Sequence, residues 1–319
     1  MAATLADHIA LDKLNDTQYI STHLPQRMGN SSPIAYGGYS VGLAIHAAYK
    51  AAPSGFHLYS VTGHYLHPVS TAAPHILTPT LIRHTKNFLT YRITVEQTLP
   101  SSTTSTTSTT STTTNTTTTT TRLCTDLHTS FQRPSPSLLT HSARATRPYT
   151  APTSCPPWTT LLQETWLKPT RIPPSLHPLC HTLFSLPTNL YATHPCPEGI
   201  MSQNLYGMVK HLSTTQSHLP PTDKTSADWL RVPHPLPTEG EQMAALGFIM
   251  DAYLSILPLA HNGLFFEDVE VCWSLDFALR VFGAGEALLR LDGGWWLREL
   301  MNLVAGEGRA YCESRLWGE

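Results

Sequence analysis

The chain has 319 residues with 20 Lys and Arg against 22 Asp and Glu, a formal net charge of −2. That near balance removes any electrostatic case for nucleic acid or an anionic membrane as partner. Hydrophobic residues make up 41%, enough for one large core or two ordinary ones, while charged residues are only 13%.

The N-terminal "MAATLADHIALDKLND" places Asp7, Asp12 and Lys13 where a secretory signal needs its apolar stretch. No apolar run reaches the roughly 18 residues that a membrane span needs. The expectation is an intracellular protein without a membrane segment. The cytoplasm is the first choice and the peroxisome the alternative, although the terminal "RLWGE" is not a peroxisomal address. Six scattered cysteines, none in C-x-x-C, read as free thiols.

Residues 37–52 are rich in Ala, Val, Leu and Ile and predict a buried helix. Within them Gly38-Tyr-Ser-Val-Gly42 fits the G-x-S-x-G elbow of serine hydrolases. An elbow needs a core strand before it and an oxyanion loop further upstream, and "NSSPIAYGG" supplies neither. The preferred reading is that Gly37, Gly38 and Gly42 let a helix pack closely under a curved sheet. Ser40 as nucleophile is the alternative.

Strands are predicted at 56–69, 75–85, 87–97 and 122–132, the last two from period-two alternation. Between them, residues 101–121 are all Ser or Thr apart from Asn115. With nothing to bury, this tract is expected to be a disordered, expanded hairpin loop, which loop-closure entropy tolerates. Residues 133–222 are dense in Pro, Ser, Thr and His and read as irregular covering structure with a short helix at 158–166. Cys180-His181 and His194-Pro-Cys196 could be mistaken for zinc ligands, but their spacing matches no standard site, and no metal is expected.

The second half opens near 227–232. A helix is predicted at 240–257, stopped by Pro258, followed by strand-like stretches at 268–282, 286–291, 295–304 and 308–317. Helix then strands occurs twice, roughly 200 residues apart, the signature of an internal duplication. The expected class is α+β. The expected divisions are 1–135, a linker and cover at 136–222, and 223–319.

One residue stands out chemically. Asp251 lies among Phe248, Ile249, Met250, Ala252, Tyr253 and Leu254. A buried carboxylate is costly unless hydrogen-bonded or used, and burial raises its pKa toward that of a general base. The structural alternative is a polar stripe with Ser255 or a pair with Arg280.

A long helix wrapped by an antiparallel meander, present twice, is the tandem hotdog architecture. "YGGYSVGLAIHAA", "FHLYSVTGHYLHP", "IRHTKNFLTYRITVEQ" and "TSFQ" resemble first-half segments of the acyl-CoA thioesterase II family in order. "AALGFIMDAYLSILPLAHN", "WSLDFALRVF" and "WWLRELMNLVAGEGRAYCESRLW" resemble its second half, in a fungal-type member. The resemblance implies hydrolysis of an acyl thioester to acid and thiol. The substrate would be acyl-CoA or an acyl chain on a carrier, with fungal secondary metabolism as one setting. It implies a water held by an Asp, a Ser or Thr, and a Gln. The first two correspond to Asp251 and Ser274. The Gln belongs to a last strand that would follow "RLWGE", so an unpaired sheet edge is expected. Gly38, Asp276 and Arg83 are the expected substrate contacts, with Arg83, Asn87 and Arg92 the candidates for phosphate of coenzyme A. No cofactor beyond the substrate's own CoA is implied, and a homo-oligomer is compatible. The alternative is a degenerate hotdog protein that binds acyl or polyketide chains or serves as an assembly subunit.

Overall fold

The computed structural model describes residues 2–29, 32–100, 119–283 and 290–318. The first half begins with α1 (Leu5–His8), β1 (Leu11–Lys13) and β2 (Tyr19–Ser21). There follow α2 (Gly38–Ala51), β3 (His57–Tyr65), β4 (Ile76–His84), β5 (Phe88–Pro100) and β6 (Thr119–Gln132). The middle holds α3 (Trp158–Leu161), α4 (His177–Leu190), β7 (Ala192–Pro195) and α5 (Ile200–Gln203). The second half holds β8 (Thr225–Arg231), α6 (Glu239–Met250), α7 (Leu257–His261), β9 (Asp276–Arg280), β10 (Trp296–Gly306) and β11 (Arg309–Gly318).

The strands form two antiparallel sheets. One runs β1-β2-β4-β5-β6-β3-β9 and the other β11-β10-β8-β7. The first strand after α2 pairs with the first strand after α6, from Ser60 opposite Arg280 to His64 opposite Asp276. The two halves therefore meet edge to edge in one sheet, and the fold is the double hotdog. The hairpin of β5 and β6 is paired out to Pro100 opposite Thr119, its alternate residues Thr125, Leu127, Thr129 and Phe131 turned inward. The expected disordered loop lies outside the described residues at 101–118, and β6 already takes in 119–121.

The two long helices form the centre. α2 buries Tyr39, Val41, Leu43, Ala44 and Ile45. α6 starts at a capping box, Glu241 N–H donating to Thr238 Oγ1 at 3.2 Å and Thr238 N–H to Glu241 Oε2 at 2.8 Å. The helices cross at their glycines. A methyl group on Gly42 would stand 2.8 Å from the Ala244 carbonyl oxygen, and one on Gly247 2.5 Å from Ile45 Cδ1. Gly38 and Gly42 of α2 thus face the other helix rather than the sheet. Residues from both helices belong to one continuous core.

Three stretches differ from their reading in sequence. The helix expected over 240–257 ends at Met250, because Tyr253 turns left-handed (φ 70°). Pro258 does not stop it; it sits in the first turn of α7, where its missing N–H costs nothing. Of 268–282 only β9 is strand, and most of the strand expected at 286–291 lies outside the described residues. Within 133–222, α4 is a 14-residue helix, and β7 joins the second sheet beside β8. Among the described residues, β11 pairs only with β10 and β9 only with β3, so each presents an edge. Trp273 and Leu275, leading into β9, and Phe282 just beyond it are exposed. No helix among the described residues is long and apolar enough to cross a membrane.

Candidate active site

Asp251 is the first residue beyond α6, where it caps the helix C-terminus. That end is anchored from below. Arg298 on β10 is wholly buried and grips Asp228 on β8 in a two-pronged pair, Nε to Oδ1 at 2.8 Å and Nη2 to Oδ2 at 2.6 Å. Its remaining nitrogen, Nη1, donates to the Ile249 carbonyl at 3.1 Å. Burial alone would lower the guanidinium pKa; Asp228 more than offsets this and leaves it raised, so the group stays charged. A fixed cation on the last carbonyls of α6 complements the helix dipole and sets where Asp251 begins.

Opposite Asp251 stands the N-terminus of α2. A side chain on Gly38 would meet the Phe248 carbonyl oxygen at 2.4 Å, so only glycine lets the two helix ends close up here. The Tyr36 hydroxyl donates to that same carbonyl at 2.5 Å and ties the α2 entry to α6. Ser274 Oγ donates to Asp251 Oδ1 at 3.3 Å. The Tyr65 hydroxyl, at the end of β3, is buried beside the carboxylate without a hydrogen bond of good geometry.

These surroundings raise the Asp251 pKa to about 6: burial pushes it up, while Ser274, Tyr65 and the Gly38 N–H draw it part of the way back. A carboxylate near pH 6 is ionised at neutral pH yet basic enough to accept a proton from water.

Of the residues singled out in sequence, the structure brings Asp251, Ser274 and Gly38 together. Ser274 sits in the extended lead-in to β9 rather than in the strand. Asp276 opens β9, is exposed, and stands in register with His64. Arg83 is exposed on β4 over the Phe88 ring at 5.6 Å. The row of paired residues that contains Tyr65 crosses β4 at Leu77. Arg83 therefore lies roughly 20 Å farther along the sheet at the usual strand rise. Arg280 donates to the carbonyls of Leu279 and Val61, not to Asp251.

Ser40 is no elbow. It lies inside the first turns of α2, fully buried, and its Oγ is 3.5 Å from His75 Nε2. Burial pushes that imidazole down to about 4, and among the described residues its Nδ1 has no partner, so none of their carboxylates orients it as a triad would require. Cys180 Sγ lies against Met208 Sδ at 3.4 Å, and among the described residues no group of three or more His, Cys, Asp or Glu could hold a metal ion.

Sequence reading missed Tyr65, Arg298 and Asp228. The signal for the last two was present: a charge in the apolar run "WWLRELM" and another in "ADWLR", directly opposite each other in the β8–β10 register. Tyr65 carries no such mark, because an aromatic residue at an inward strand position reads as core.

Residues 24–116 match the family model of the acyl-CoA thioesterase N-terminal domain, and 192–319 match that of the C-terminal domain. Among solved structures, the chain resembles an acyl-CoA thioesterase II from Mycobacterium marinum, with 16% identity over 99% of this chain and 92% of that one (TM-score 0.62). It also resembles a tesB protein of Mycobacterium avium subspecies paratuberculosis, with 11% identity over 98% and 91% (TM-score 0.62). A hot dog fold protein from Alicyclobacillus acidocaldarius gives 12% identity over 100% and 93% (TM-score 0.65). No curated protein sequence matches. At these identities the solved structures speak for the fold, and the two matched domain models, in order along the chain, carry the family: this chain belongs to the acyl-CoA thioesterases.

Proposed function

We propose that this protein hydrolyses acyl thioesters, with acyl-CoA the first substrate class and carrier-bound acyl chains the second. The observation that carries the reading is the Asp251 carboxylate, poised at about pH 6 between the α2 N-terminus and Ser274. Asp251 accepts a proton from water as the water oxygen attacks the thioester carbonyl carbon. The positive end of α2 stabilises the charge that develops on the carbonyl oxygen. The carbon–sulfur bond then breaks, the thiolate takes the proton held by Asp251, and acid and thiol leave. Ser274 holds the carboxylate in place. No acyl-enzyme forms, and no cofactor is needed beyond the CoA of the substrate. Cytoplasmic location and a fungal natural-product setting are further parts of this proposal, the first supported by the charges Asp7, Asp12 and Lys13 near the start of the sequence and the second by the sequence resemblance.

A second reading, a non-hydrolytic acyl-binding subunit, is favoured by one observation. Gln242, on α6, is engaged with Leu236, Leu291 and Asp292 rather than with Asp251. Released thiol from a short- to long-chain acyl-CoA panel, measured beside Asp251→Asn, separates the two. Turnover that the substitution abolishes supports the hydrolase. A folded protein that binds acyl-CoA without turnover supports the binding subunit.

A further inference from the structure

We infer that Tyr65 is a catalytic group of this site, holding the attacking water opposite Asp251; the inference rests on the thioester-hydrolase reading. The Tyr65 hydroxyl is buried beside the Asp251 carboxylate and, among the described residues, has no partner at good hydrogen-bond geometry, a costly arrangement for a group that a Phe could replace without loss of packing. Its position is fixed. The Tyr65 N–H donates to the Leu275 carbonyl at 2.9 Å, one residue beyond Ser274, and its ring packs on Phe277 with centroids 5.6 Å apart. The pairing that aligns the two halves thus delivers Ser274 and Tyr65 to the carboxylate together.

Gly37 shows where they converge. A methyl group there would lie 2.8 Å from Asp251 Oδ2 and 3.0 Å from the Tyr65 hydroxyl. Both oxygens thus lie against one bare backbone position at the mouth of α2. Burial, then the neighbouring carboxylate, holds the phenol pKa well above its ordinary value, so Tyr65 is a donor at any working pH. Tyr65 donates to one lone pair of the water, Asp251 accepts one of its protons, and the remaining lone pair attacks the thioester carbon.

The test is Tyr65→Phe, with Gly37→Ala as a second variant that pushes the two oxygens apart while leaving both present. Both are checked for folding by circular dichroism, and each is assayed for kcat, KM and pH dependence on acyl-CoA. The expected loss in kcat is on the order of 10- to 100-fold, with KM unchanged. In Tyr65→Phe the midpoint of the pH profile moves above about 6, because a group that draws the Asp251 pKa down is gone. A folded Tyr65→Phe protein with wild-type kcat and an unmoved midpoint overturns the inference. If the wild type hydrolyses no acyl-CoA, the thioesterase reading is what fails. The contact with Tyr65 is then judged by NMR titration of the Asp251 side chain, and an identical titration in wild type and Tyr65→Phe overturns it.

Discussion

Asp251→Asn should make the folded protein more stable at neutral pH while removing its activity. An ordinary aspartate titrates at 3.8, and burial raises Asp251 to about 6. Between those values the folded chain keeps a proton that the unfolded chain has released. Stability therefore falls as pH rises through that window, and the full penalty is present above about pH 6. A shift of roughly two units at 1.36 kcal/mol each sets an upper limit of about 3 kcal/mol. The residue retains some contact with solvent, which trims that figure. Asparagine has the same shape and no charge to bury. Denaturant unfolding of both proteins at pH 4 and pH 7.5 measures the difference. The variant should match the wild type near pH 4 and exceed it at pH 7.5 by up to about 3 kcal/mol, with thiol release down by roughly 100-fold or more. A variant less stable at pH 7.5, or a gap that does not widen with pH, would refute the assignment of a raised pKa to this carboxylate.

Ser274→Ala removes a donor that lowers the Asp251 pKa, so the pH–rate midpoint should rise above about 6 and kcat should fall by about 10-fold, read in the same thiol assay. Ser40→Ala should leave kcat unchanged; a large loss would return the serine-nucleophile reading to contention. Arg298→Met leaves Asp228 buried and unpaired and should cost about 3–5 kcal/mol in urea unfolding. Pairing it with Asp228→Leu should recover most of that loss, since the cost lies in the stranded charge.

Much of this architecture was legible because it rests on patterns that tertiary context does not override. The apolar composition of 37–52 gave α2, and the alternation on either side of the Ser/Thr tract gave the β5–β6 hairpin. Asp251 was visible because a carboxylate in an apolar run needs an explanation. The end of α6 was not visible, since it is decided by a left-handed Tyr253 and by Arg298 arriving from a strand about 50 residues away. α4 was hidden by proline density, yet Pro178 sits in its first turn, where it is tolerated, and Pro187 lies in its last turn. Tyr65 became meaningful only when β3 met the lead-in to β9, a long-range pairing that local periodicity does not encode.

The edge-to-edge pairing of β3 with β9 makes the candidate site a shared possession. One half supplies the helix mouth and Tyr65; the other supplies the carboxylate and Ser274. Neither half carries the candidate site alone. Two separately expressed halves would have to find each other at a cost in concentration that the intervening segment, acting as a tether, removes. A proteolytic cut in that segment should then be tolerated only while the sheet seam holds, so activity after nicking would report on the strength of the seam.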